Sequence, residues 1–214
     1  MGFILKVFKP VQRCFLFIAV MLFSSVFSST VFADQKILIW GDSLSAAYGI
    51  PLEKGWVNLM RTELGEKFEI INGSISGETT QGGRTRLPKA LEKHQPNYIV
   101  LELGANDGLR GIPPNITKIN LDKMIQAAQA ANAKVILLGM KIPPNYGAAY
   151  SEKFEAVFTD LAEQYKLPFI PFFLEDVAEN FDYLQADELH PTASAQPILL
   201  KRILPTIKKE LSSS

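Results

Sequence analysis

Four short segments of this chain hold the residue types that nucleophilic attack on a carbonyl requires. They are Gly41-Asp42-Ser43-Leu44-Ser45, Ser76-Gly77-Glu78-Thr79, Gly104-Ala105-Asn106-Asp107 and Asp187-Glu188-Leu189-His190-Pro191. A serine becomes a useful nucleophile only when a base removes its proton and donors receive the charge that develops on the carbonyl oxygen. Taken alone, Ser43 reads more simply as a helix N-cap, and Gly77 and Asn106 as turn residues. Taken together they supply a hydroxyl, two backbone N–H groups (of Ser43 and Gly77) and a side-chain amide. The chain has two histidines to serve as base. His94 lies in the polar run Glu92-Lys93-His94-Gln95-Pro96 and reads as an exposed helix end, where its charge would suit the dipole. His190 precedes Pro191, which keeps it out of helical geometry, and Asp187 can reach back to its Nδ1–H. Ser43, Asp187 and His190 are therefore the candidate triad, with Ser43, Gly77 and Asn106 as candidate oxyanion donors.

For these segments to meet, the chain must fold so that distant loops share one edge. Apolar runs at 37–40, 68–72, 98–103, 135–138 and 169–170 read as strands. They barely alternate with polar residues, so both faces should be covered, as in a parallel sheet. Helical spacing marks the segments between them. Tyr150, Phe154, Val157, Phe158, Leu161 and Tyr165 form one apolar stripe, and Trp56, Leu59, Met60 and Leu64 another. Asn115 is placed to cap a helix holding Ile116, Ile119, Met124 and Ala127. Ile198, Leu199, Ile203 and Ile207 mark the last helix, which Pro205 should kink or interrupt. The alternation predicts an α/β fold, a flavodoxin-like three-layer α/β/α sandwich with a five-stranded parallel sheet in the order 2-1-3-4-5. The segments at Ser43, Gly77 and Asn106 each follow a strand, so all three fall on the carboxyl edge, where such folds bind ligands. Gly41 should turn the chain out of the first strand, and Ser43 should open a helix whose positive end faces the site.

Residues 1–33 read as a cleaved secretory signal, leaving 34–214 as one domain. Lys6, Lys9 and Arg13 precede an uncharged apolar run, and a Ser-rich stretch ends at Val31-Phe32-Ala33. An uncleaved anchor is the alternative, since 14–33 nearly suffices to span a bilayer. A lipid anchor at Cys14 does not fit the preceding Gln12-Arg13. The expected location is periplasmic or secreted, with no membrane span after cleavage. Formal net charge is zero, and the basic leader makes the remainder mildly acidic, so nothing recommends nucleic acid as a partner. Cys14 is the only cysteine, which removes thiol nucleophiles and thiolate metal sites from 34–214. Two histidines so placed cannot form a metal cluster, so no metal is expected.

Gly41-Asp42-Ser43-Leu44 matches the GDSL signature, and Ser43, Gly77, Asn106 and His190 match the four positions for which SGNH hydrolases are named. Gly41 to Gly49, Asn106 to Gly111, Pro144-Asn145-Tyr146-Gly147 and Ala195-Gln196-Pro197 are similar to the bacterial periplasmic group of acyl-CoA thioesterase I, lysophospholipase and arylesterase. The likeness covers nearly all of 36–211. Within it, Glu78 stands where aspartate is usual, Ala105 where glycine is, and Thr192 where asparagine is. The resemblance implies the SGNH hydrolase fold, the triad and oxyanion hole named above, and esterase, thioesterase and lysophospholipase activity without a cofactor. It also implies that Gly108-Leu109-Arg110-Gly111-Ile112-Pro113 folds over an acyl chain. On the residues themselves, Leu109 and Ile112 give that loop apolar surface for the chain, and Tyr146, in the segment after the fourth strand and on the same edge, is expected to add a wall. The substrates would be small acyl esters, thioesters or lysophospholipids, the enzyme a monomer. Two alternatives stand beside this: an O-deacetylase of carbohydrates on the same fold, and a non-enzymatic flavodoxin-like binding module.

Overall fold

Strand β1 (Gln35–Gly41), interior to the sheet, ends at the edge where Ser43 lies, and the other elements are laid out to either side of it. The computed structural model describes Gly2 and residues 35–212, so the expectation of a cleaved leader lies outside the described residues. The other strands are β2 (Phe68–Asn72), β3 (Tyr98–Glu102), β4 (Lys134–Leu138) and β5 (Phe169–Ile170). All pairings are parallel, in the order β2-β1-β3-β4-β5. The helices are α1 (Trp56–Leu64), α2 (Thr80–His94), α3 (Ala105–Leu109), α4 (Pro114–Ala130), α5 (Ala148–Tyr165) and α6 (Gln196–Ser212). Helix α1 packs on α6, while α2, α4 and α5 pack side by side as the other layer. Ile37, Leu38 and Ile39 of β1 and Val100 of β3 are wholly buried, as expected of strands covered on both faces.

Several local expectations are corrected. No helix starts at Ser43: residues 43–49 form turns, and α1 begins at Trp56 behind Gly55. Asp42 closes the first turn instead, its Oδ1 accepting the Leu44 N–H at 3.0 Å. The dipole of a full helix is therefore not available to Ser43. Gly41 does not adopt a left-handed conformation. It is needed because a Cβ there would lie 2.4 Å from Glu102 Oε2. Asn115 does not cap α4; Pro113 precedes the helix and Pro114 occupies its first turn. Ile116 and Ile119 are exposed, and the buried stripe of α4 is Thr117, Asn120, Leu121, Met124, Ile125 and Ala128. The two polar members were invisible to an apolar-periodicity reading because they are buried by hydrogen bonds, described below. Pro205 does not interrupt α6, and Pro88 lies inside α2 in the same way. Both prolines are exposed, so the carbonyls they leave without a helical N–H lie on solvent-facing turns.

Candidate active site

Ser43 Oγ lies 2.9 Å from His190 Nε2, and His190 Nδ1 lies 2.6 Å from Asp187 Oδ2. Asp187 Oδ1 accepts the backbone N–H groups of Leu189 and His190, both at 3.0 Å. Burial pushes the Asp187 carboxyl up, but the hydrogen bonds from His190 backbone and ring and from Leu189, with the His190 charge, outweigh it and hold the group at about 2. An ionised carboxylate only accepts, so Nδ1 carries the ring proton and Nε2 is left to accept from the Ser43 hydroxyl. The three side chains predicted from distant segments are thus one hydrogen-bonded line.

The histidine is set in place by a short hairpin. Leu184 and Pro191 form an antiparallel bridge, and Gln185 N–H donates to His190 O at 2.7 Å. The Gln185 amide donates to Pro191 O and to Tyr48 O at 2.8 Å, tying the hairpin to the turn that carries Ser43. Glu188 takes a left-handed conformation (φ 58°), which lets Asp187 and His190 face each other across the turn. The Tyr48 ring packs 4.5 Å from the imidazole. His94 lies elsewhere, as the last residue of α2, at the amino edge of β3.

The donor segments are fastened to the residues that flank Ser43. Ile75 N–H donates to Gly41 O at 3.1 Å, which brings the Gly77 loop alongside the strand end. Gly77 has φ 77°, so here the glycine is required by the backbone. The Asn106 amide donates to Asp42 Oδ2 at 2.9 Å and keeps a second N–H for another acceptor. Asn106 sits in α3, entered through Gly104 at φ 127°. Beneath it, buried Asp107 accepts the Thr80 N–H at 2.8 Å, the Thr80 hydroxyl, and the Thr117 hydroxyl at 3.3 Å. Asn120 donates to Thr80 Oγ1 at 3.1 Å. This network clamps the starts of α2 and α4 to α3, and so fixes the Gly77 and Asn106 loops relative to each other.

Leu109, Ile112 and Tyr146 are also brought together, though the loop is less free than its two glycines suggest. Tyr146 OH donates to Leu109 O at 2.9 Å, and Tyr150 OH to Ile112 O at 2.8 Å. Gly108 is buried within α3, where a Cβ would meet Ile142 Cγ2 at 2.3 Å, so it serves close packing. Arg110 reaches the other way and donates to Gly77 O at 2.9 Å. Two surface hollows of about 490 and 440 Å³ lie against Phe169–Arg202 and Arg61–Ile70 residues, and neither is lined by Ser43 or His190. Among the described residues no cluster of three or more His, Cys, Asp or Glu could hold a metal ion. No described helix is long and apolar enough to cross a membrane.

Sequence reasoning passed over Glu102. Its carboxyl is wholly buried behind the Ser43 turn, with Oε2 accepting the Ser45 hydroxyl at 2.6 Å and the Asp42 N–H at 3.2 Å. A glutamate inside an otherwise apolar strand was the available clue. Burial pushes the Asp42 carboxyl up to about 6, against bonds from Leu44 and Asn106 that lower it. Burial, with the neighbouring Asp42 charge, drives Glu102 well above the usual carboxylate range.

A family model described as the GDSL-like lipase/acylhydrolase family matches residues 39–196. The chain is 46% identical over 179 residues to the esterase TesA of Pseudomonas aeruginosa, spanning 82% of this chain and 89% of that protein. It is 40% identical over 185 residues to the thioesterase 1/protease 1/lysophospholipase L1 of Escherichia coli K12, spanning 86% of each. In structure it is similar to the psychrotrophic esterase EstA of Pseudoalteromonas sp., solved as a form inhibited by monoethylphosphonate. The TM-score is 0.79 at 43% identity, over 84% of this chain and all of that one.

Proposed function

The chain belongs to the GDSL-like lipase/acylhydrolase family and hydrolyses carboxylic esters, and from that premise we propose that Ser43 is its nucleophile, His190 its base and Asp187 the partner that holds the base. His190 Nε2 takes the Ser43 proton as Oγ attacks the carbonyl carbon. The Ser43 and Gly77 N–H groups and the free Asn106 N–H receive the oxyanion. When the tetrahedral intermediate collapses, His190 passes the proton to the leaving alcohol or thiol. Water then attacks the acyl-enzyme, His190 takes its proton and returns it to Ser43, and a carboxylic acid leaves. The observation that carries this reading is the line Ser43 Oγ–His190 Nε2–Asp187 Oδ2 at 2.9 and 2.6 Å. A relative inhibited by a phosphonate is consistent with it.

The substrates we propose are medium- and long-chain acyl esters, acyl thioesters and lysophospholipids. The names of the relatives support the classes, and the apolar Leu109 and Ile112 beside the site support the chain length. The absence of a net positive charge supports a protein without a nucleic acid partner. The basic and then apolar leader supports export to the periplasm and cleavage after Ala33.

The test is labelling and kinetics together. A fluorophosphonate should attach covalently to Ser43, and Ser43→Ala should lose both label and turnover while keeping its fold, since Oγ makes one hydrogen bond. Asp187→Asn should be severely impaired and His94→Gln should not. Label on another residue, or the reverse pattern in the last two variants, would overturn the assignment.

A further inference from the structure

We propose that Glu102 is a positioning residue that works as a neutral carboxylic acid, its Oε2 fixing the backbone on both flanks of Ser43. The inference rests on Ser43 being the nucleophile. One oxygen serves the residue before Ser43 and the residue two after it: the Asp42 N–H at 3.2 Å and the Ser45 hydroxyl at 2.6 Å. Asp42 in turn holds the Asn106 amide at 2.9 Å. A single carboxyl therefore sets the position of the hydroxyl and, through Asp42, of a donor for the oxyanion.

Room for this carboxyl is built into the fold. Gly41 pairs with Glu102 across the β1–β3 ladder, and any side chain there would fall 2.4 Å from Oε2. The neutral state follows from the surroundings. Glu102 is fully buried, and among the described residues its Oε1 has no hydrogen-bond partner and no cation pairs with it. An ionised carboxylate with one bare oxygen is far costlier to bury than the acid. The charge of Asp42, from the turn after β1, has the same sign and disfavours ionisation further. A neutral acid also keeps a second negative charge away from the oxyanion site.

The experiment compares wild type, Glu102→Ala and Glu102→Gln in kcat, KM and pH profile, with fluorophosphonate labelling as control. Glu102→Ala should lower kcat by about 10- to 100-fold, the scale of a slight misplacement of reacting groups, with little change in KM. Glu102→Gln keeps the acceptor and should recover most of that loss. As pH rises and Glu102 ionises, wild-type kcat should fall, whereas Glu102→Gln should hold its activity. Infrared spectra at neutral pH should show a protonated-carboxyl band in the wild type that Glu102→Gln lacks, a readout that does not need the alanine variant to fold. The proposal is overturned if the band does not differ, if Glu102→Ala keeps wild-type kcat, or if folded Glu102→Gln is as slow as Glu102→Ala. Absence of label on wild-type Ser43 would instead defeat the nucleophile assignment.

Discussion

At Asp42 two demands meet in one side chain. Its carboxylate closes the turn before Leu44 and receives the Asn106 amide. Its acidity moves from an ordinary 3.8 to about 6 because burial disfavours the charge. A raised carboxyl binds its proton more tightly in the folded state, so its contribution favours folding in acid and is lost as pH rises from about 4 through about 6. Asp42→Asn removes that decline. Urea midpoints of wild type and variant, measured between pH 4 and 7, should converge in acid and separate toward neutrality in favour of the variant's relative stability; parallel curves would contradict the assignment. The variant should also be slower, since one amide oxygen cannot serve both Leu44 and Asn106. With Asn106 as a proposed oxyanion donor, the expected loss in kcat for Asn106→Ala is about a hundredfold or more, with Ser43 still open to labelling.

The proposed catalytic set was legible in the sequence because its residue types are scarce and its spacing constrained. Two histidines left little choice of base, and the parallel-sheet reading put Ser43, Gly77 and Asn106 on one edge. What was not legible are the contacts that depend on distant partners. Glu102 looked like one more strand residue because Gly41 and Ser45, which receive it, lie some sixty positions earlier. Thr117 and Asn120 broke the apolar pattern of α4 because their partners, Asp107 and Thr80, belong to other elements.

Among the elements, the 108–113 segment is held from two sides. Tyrosines before and in α5 grip its carbonyls, and Arg110 joins it to the Gly77 loop. If Leu109 and Ile112 line the acyl path, each added methylene contributes up to ~0.8 kcal/mol until the path is full. Esters and thioesters with two to sixteen acyl carbons should then show at least ~10-fold higher kcat/KM for medium or long chains than for acetyl, two or three buried methylenes being enough. Replacing both residues by Ser should flatten the profile and spare acetyl turnover. A flat wild-type profile would favour the carbohydrate deacetylase.

Over the whole molecule, the core and the catalytic edge are built from different kinds of contact. Strands β1, β3 and β4 are buried among apolar side chains. The residues that bring Asp187 and His190 to Ser43 sit outside that core, on a hairpin held by Gln185 and an isolated bridge. Ser43 follows the buried end of an interior strand of the sheet, and its proposed base rests on a peripheral turn.

That division separates the lifetime of the fold from the lifetime of the activity. Opening of the hairpin breaks a handful of hydrogen bonds and exposes little apolar surface, so it is a low-energy, sub-global fluctuation. Because Asp187 and His190 share one turn, they leave and return as a unit, and under the proposed assignment a single excursion leaves Ser43 without its base. On warming, turnover should fade several degrees before far-ultraviolet ellipticity does, and amides of 184–191 should exchange with deuterium well ahead of those in β1. A cross-link from the hairpin to the Tyr48 turn should bring the two transitions together.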